Sequence, residues 1–248
     1  MKILALHGFT GSGRDFDPLR DAVQLDLVTP DLLGHGDEDA PTDVADYRID
    51  RVAERISAGH DGEPVVLLGY SMGGRVALRL WSLLGRSLRG LVLVSVNPGI
   101  EDTVQRIERM ATDRALSGQI EERGMSWFCE HWAGLPAIQS QRRIAPEVLA
   151  AMGARRARNR AHGLANSLCG MGQGAVNPVW DQLADIPVPT LLITGHEDAT
   201  YTAIARRMQS EIPRCQHDTV PGAGHCAHLE DPESAAAFIN RFTDQLTE

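Results

Sequence analysis

The apolar positions of this chain come in two rhythms. Short, mostly apolar runs fall at 2–6, 25–29, 65–68, 91–96 and 189–195, and such runs read as buried strands; a more polar last strand is expected at 216–220. Between them lie stretches in which apolar residues recur every three or four positions, the period of a helix with one buried face. These predict helices at 15–22, 47–58, 75–84, 201–211 and 232–246. In 47–58, for example, Ile49, Val52, Ala53 and Ile56 share a face. Strand and helix alternate with short links. That alternation predicts an α/β fold, a mostly parallel sheet flanked by helices on both faces.

The rhythm breaks once. From Ile100 to Asp181 there is no strand pattern, and the stretch is rich in Arg, Met and Trp. Its periodicity predicts helices at 102–117, 119–132, 146–156 and 161–171. A helical block spliced between two sheet strands reads as an insertion. Residues 1–99 and 182–248 are therefore expected to form the core, and 100–181 a helical cap. The cap is expected over the carboxyl edge of the strands, where open α/β sheets bind ligands.

One link carries chemistry. Gly69-Tyr70-Ser71-Met72-Gly73-Gly74 joins a predicted strand to a predicted helix. In that context Gly-x-Ser-x-Gly is a nucleophile elbow: the serine sits on a strained turn, and glycines without Cβ atoms let strand and helix meet. The Met72 amide, at the helix start, is placed to donate to an oxyanion. The loop from His7 to Gly13, after the first strand, is expected to supply a second amide from Phe9. That loop lacks the patterns of a dinucleotide or nucleotide phosphate cradle.

A serine hydroxyl needs a base, and the base needs an orienting acid. Asp198 follows a late strand in Thr194-Gly195-His196-Glu197-Asp198 and is the expected acid, with Glu197 its rival. His225 ends Pro221-Gly222-Ala223-Gly224, after the last strand, and is the expected base. His228 is the competitor. His7, at a strand end, reads as structural, and Asp31 with His35 as a tight turn shaping the site wall. Neither HExxH nor HxH occurs, so no metal site is expected. Nothing suggests an organic cofactor.

Bulk properties narrow the setting. The 248 residues are 43% hydrophobic and 23% charged, as in a soluble globular protein with a sizeable core. A net charge of −9 disfavours a nucleic-acid partner. No apolar run approaches a membrane span. Cys129, Cys169, Cys215 and Cys226 form no CxxC pair and no signal peptide is visible, which predicts reduced thiols and a cytoplasmic protein.

With elbow, acid and histidine in this order, the chain resembles the α/β-hydrolase superfamily over essentially its whole length. Further residues resemble one branch, the 2-succinyl-6-hydroxy-2,4-cyclohexadiene-1-carboxylate synthases, lyases of the menaquinone pathway. These are the elbow through Arg75, then Asn97-Pro98-Gly99, Gln105-Arg106 with Arg109, and Asp113-Arg114. Phe128, Trp132 and Pro136, then Leu164-Ala165, Leu168 and Trp180, are similar to that family's cap. Gly224-His225-x-Ala227-His228-x-Glu230 is similar to its histidine loop.

The resemblance implies elimination of pyruvate from 2-succinyl-5-enolpyruvyl-6-hydroxy-3-cyclohexene-1-carboxylate. Ser71 would act as base, held by His225 and Asp198, with no acyl-enzyme. It implies a small-molecule polycarboxylate substrate, bound by guanidinium groups that pair with carboxylates bidentately. Arg75, one helical turn past Ser71, would serve with Arg109 and a cap arginine, Arg156 in a crowd with Arg155, Arg158 and Arg160. Tyr70 and Trp132 would wall the pocket. A carboxylic-ester hydrolase with the same triad is the alternative, and its cap arginines would point outward.

Overall fold

A computed structural model describes residues 1–246 of the chain. Six parallel strands form one sheet: β1 (Lys2–Leu6), β2 (Leu27–Val28), β3 (Val65–Tyr70), β4 (Leu88–Val94), β5 (Thr190–Gly195) and β6 (Cys215–Val220), in the order β2-β1-β3-β4-β5-β6. The apolar runs divide by parity, as a pleated strand buried on both faces requires. Leu4, Leu6, Val65, Leu67, Leu91 and Leu93 face one core, shared with helices α2 (Ile49–Ala58) and α3 (Met72–Leu84). Ile3, Ala5, Val66, Leu68, Val92 and Val94 face the other, which contains Phe16 and Leu19. Closing that second face is a C-terminal helix through Ala235, Ala236, Ile239 and Phe242.

The edges of several elements differ from the periodicity. The helix expected at 15–22 is a 3-10 turn, Gly13–Phe16, followed by the four-residue α1 (Asp17–Arg20). Pro18 at its start can supply no N–H to extend it backwards. The run at 25–29 pairs with β1 only at Leu27 and Val28, because it is the sheet edge and Pro30 follows. Tyr47 lies outside α2, in a 3-10 turn Val44–Tyr47 capped by Asp43, and its hydroxyl donates to the Pro41 carbonyl. The helix after the elbow begins at Met72, not Arg75.

Between β4 and β5 the chain is helical: α4 (Thr103–Ala133), α5 (Pro146–Ala157) and α6 (Ala161–Met171), with 3-10 turns at Pro136–Arg143 and Trp180–Asp185. The break expected near Gly118 is absent. It falls at Gly124, whose φ of 77° and ψ of 178° interrupt α4, a conformation glycine adopts without a Cβ penalty. The helices α7 (Ala199–Glu211), α8 (Ala227–Glu230) and α9 (Pro232–Asp244) complete the chain. Among the described residues, no helix is long and apolar enough to cross a membrane.

Candidate active site

The carboxyl ends of β1, β3, β5 and β6 open into one cavity of about 1210 Å³, roofed by residues of α4, α5 and the Pro136–Arg143 turn. Ser71 lies at its floor between β3 and α3. Its φ of 50° and ψ of −109° are rare for a residue with a Cβ. The neighbours explain the strain. A Cβ on Gly73 would lie 2.1 Å from the Leu6 carbonyl oxygen, and one on Gly69 would lie 2.5 Å from Gly74 Cα. Strand and helix backbones are thus in contact, and the Ser71 N–H donates to the Val94 carbonyl at 3.0 Å, fixing the turn on the next strand.

Ser71, His225 and Asp198 come together. Ser71 Oγ is 3.1 Å from His225 Nε2, and His225 Nδ1 is 2.7 Å from Asp198 Oδ2. The carboxylate accepts the Nδ1 proton, which leaves Nε2 as the acceptor for the serine hydroxyl. Asp198 is itself held as the N-cap of α7, accepting from the Tyr201 N–H. The loop before His225 is tied by Glu230, whose buried carboxylate accepts from the Gly224 N–H at 2.8 Å, the Cys226 N–H at 3.2 Å and Ser140 Oγ at 2.8 Å. Phe9 and Met72 both line the cavity beside Ser71. Met72 is the first residue of α3, so its N–H has no acceptor within the helix.

The competing residues have other duties. Glu197 pairs with Arg143 at 2.5 Å, half exposed. His228 is buried against Tyr70 and Phe16, and burial pushes its pKa down to about 3, so it is neutral. His7 uses both ring nitrogens: Nδ1 lies 2.8 Å from the Gly8 carbonyl, and Nε2 accepts from the Leu32 N–H. Asp31 accepts from the Gly13 and Asp37 amides and shapes the turn. Buried His35 packs edge-on against His7.

The expected arginines converge on the cavity from two sides. Arg75 is buried, and both Nε and Nη2 donate to the Met171 carbonyl, at 3.2 and 2.9 Å. Burial pushes its pKa down to about 10 from an ordinary 12.5, so it stays charged at neutral pH. Arg109 stands beside it. Its Nε donates to Asp113 and its Nη1 to Gln173, both at 2.8 Å. Arg156 enters from the other side, buried, with Nε donating to Thr10 Oγ1 at 3.1 Å. Its neighbours are elsewhere: Arg155 pairs with Asp15 at 2.7 Å, and Arg158 is exposed. Neither Arg75 nor Arg156 has a carboxylate partner among the described residues. Trp132 lines the cavity, packs on Phe9 at 5.4 Å, and keeps a buried Nε1–H without an acceptor. Tyr70 lies 5.6 Å from the His225 ring.

Several cavity residues carried no recognisable pattern in the sequence. Thr10 and Gln173 sit in glycine-rich links. Tyr201 does carry a signal, since it stands in the first turn of the helix that Asp198 caps.

The sequence pattern of the alpha/beta hydrolase family matches residues 3–238. The chain belongs to the alpha/beta hydrolase family. Within this family it is 35% identical, over 98% of its length and 90% of the relative's, to a Bacillus subtilis protein provisionally named 2-succinyl-6-hydroxy-2,4-cyclohexadiene-1-carboxylate synthase. The solved structure of MenH from S. aureus superposes with a TM-score of 0.94 at 28% identity, covering 100% of this chain and 95% of that one. The solved structure of a thermophilic esterase from Thermogutta terrifontis superposes with a TM-score of 0.84 at 25% identity, covering 99% of this chain and 90% of that one. The six-stranded parallel sheet is the core expected of this family.

Proposed function

We propose that this alpha/beta hydrolase is a lyase that eliminates pyruvate from 2-succinyl-5-enolpyruvyl-6-hydroxy-3-cyclohexene-1-carboxylate, giving 2-succinyl-6-hydroxy-2,4-cyclohexadiene-1-carboxylate. One observation carries the reading. Two buried guanidinium groups without carboxylate partners, Arg75 and Arg156, face one cavity beside Ser71. An unpaired buried charge is costly unless a ligand supplies the counter-charge. A substrate with separated carboxylates supplies it twice, and the neutral esters of a general esterase do not. The names of the Bacillus subtilis relative and of the S. aureus structure point the same way.

In this reading Ser71, His225 and Asp198 are a catalytic triad used for proton abstraction. His225 Nε2 takes the Ser71 hydroxyl proton, and the serine oxygen takes a proton from the ring. The electron pair released forms the new ring double bond as the C–O bond to the enolpyruvyl group breaks. The departing enolate takes up a proton and becomes pyruvate. Asp198 offsets the charge on the imidazolium. The Phe9 and Met72 amides stabilise the oxyanion that develops during abstraction. Arg75 and Arg109 bind one carboxylate region, Arg156 another, and Tyr70 and Trp132 wall the ring. Residues 100–181 act as a cap that brings Arg109, Trp132 and Arg156 to the core.

The test is pyruvate release from that substrate, generated in situ, with the ring product identified and Ser71→Ala as control. Fast release of the cyclohexadiene product that falls by orders of magnitude in the variant is expected. Turnover of short p-nitrophenyl esters, with no acceleration of pyruvate release, would move the protein to the esterases, which the likeness to the Thermogutta terrifontis enzyme keeps as the second reading.

A further inference from the structure

Tyr201 stands between the two halves of the site. Its ring lies 4.4 Å from the His225 ring, inclined by 55°. Its hydroxyl accepts from Gln173 Nε2 at 2.6 Å, and Gln173 Oε1 accepts from Arg109 Nη1 at 2.8 Å. This chain has only one consistent direction. A guanidinium only donates, so the oxygen of Gln173 must face Arg109. The amide nitrogen of Gln173 must then face Tyr201, and the phenol oxygen must accept. The phenol proton therefore has to point elsewhere. Of the charged neighbours of the hydroxyl, Arg75 and Arg109 are donors as well, and the Asp198 oxygens are engaged by the Tyr201 N–H and His225 Nδ1. Among the described residues, no side chain or carbonyl accepts from it. Tyr201 lines the cavity, and that is where an acceptor for the proton remains.

The two arginines are incomplete in the same sense. Arg75 commits Nε and Nη2 to Met171, leaving Nη1, and Arg109 commits Nε and Nη1, leaving Nη2. We infer that the Tyr201 hydroxyl, oriented by Gln173, is a third donor of the Arg75–Arg109 carboxylate site and contacts the substrate directly. A neutral donor suits this position. Two guanidiniums already supply the charge, and burial raises the phenol pKa, so the hydroxyl stays protonated at neutral pH. The inference deepens the polycarboxylate reading and rests on it for the identity of the ligand.

Tyr201→Phe tests it, because it deletes the hydroxyl and keeps the ring against His225. KM for the enolpyruvyl cyclohexene substrate is expected to rise about tenfold, the loss of one hydrogen bond to a charged group, with a smaller change in kcat. An unchanged KM overturns the inference. So does a fall in kcat alone, which would mean that the tyrosine only holds His225. Calorimetric titration with the cyclohexadiene product reads the same contact without turnover, and there Kd is expected to rise by a similar factor. A wild-type protein that binds the product through Tyr201 but releases no pyruvate would sink the lyase reading and leave this one standing. A wild-type protein that neither binds nor reacts would sink both.

Discussion

Arg75 spends two of its donors on a single carbonyl, that of Met171, at 3.2 Å from Nε and 2.9 Å from Nη2. The contact joins α3, which carries the elbow, to the end of α6, and it holds a guanidinium that forms no ion pair with a described acid. Replacing Arg75 by Met removes the charge and keeps most of the length. Substrate affinity is expected to fall at least about tenfold, the scale of a charged hydrogen bond. Steady-state kinetics decide it: an unchanged KM would show that the guanidinium does not reach the substrate.

The same residue sets an alkaline limit. Burial pushes the Arg75 pKa down to about 10. Its proton is held below that pH and lost above it, so affinity for an anionic substrate is expected to fall as pH rises through about 10. Arg75→Met should show a weak affinity with no inflection there. KM measured from pH 8 to 11 in both proteins checks this.

Glu230 links His225 to the Pro136–Arg143 turn. Its carboxylate holds amides on both sides of the histidine and the hydroxyl of Ser140. Arg143, at 3.7 Å from Glu230, also pairs with Glu197 beside the acid Asp198. Glu230→Ala leaves two amides without their acceptor, and the loop should drift. Since a misplacement of about 1 Å can cost on the order of a hundredfold in rate, kcat is expected to fall strongly. KM should change less, because Glu230 touches none of Arg75, Arg109 and Arg156. A proportionate rise in KM with constant kcat would contradict the assignment.

The elbow offers a stability test. Ser71 holds a φ of 50° that a glycine would adopt freely. Ser71→Gly is therefore expected to raise stability by about 1 kcal/mol, the scale of such backbone strain, while abolishing turnover. Gly73→Ala should do the reverse, since its Cβ would fall 2.1 Å from the Leu6 carbonyl oxygen. Denaturant unfolding of both variants checks the pair, and a Ser71→Gly protein less stable than wild type would refute the strain.

Much of this is legible in the chain itself. The apolar runs at Val65–Leu68 and Leu91–Val94 are buried on both faces and so carry the sheet openly. Ser71, Asp198 and His225 each follow a strand end, and they are the residues that meet. Choosing Arg156 from its neighbours was not possible from spacing, because the choice depends on which side of α5 meets Thr10 and which meets Asp15. Gln173 and Tyr201 are joined only by tertiary contact, and Glu230 acts through backbone amides, which leave no trace in residue identity. The position of the break in α4 is hidden for a similar reason. Gly118 stays helical and Gly124 does not, although both have open space at the Cβ position.

Acid should destabilise this fold through its buried histidines. His35 and His228 are buried, and burial pushes both pKa values down to about 3 from 6.5. Between pH 6.5 and about 3 the unfolded chain therefore takes up protons that the folded chain refuses. Stability falls as pH falls across that window, by on the order of 1.4 kcal/mol per pH unit for each histidine. Above pH 6.5 neither residue contributes a slope. His228 Nδ1 has no hydrogen-bond partner, so His228→Gln removes the titration without breaking a contact at that atom. Its unfolding free energy should fall less steeply than that of wild type between pH 6 and 4, and match its slope above pH 7. Parallel curves across the acid range would mean that His228 is protonated in the folded protein.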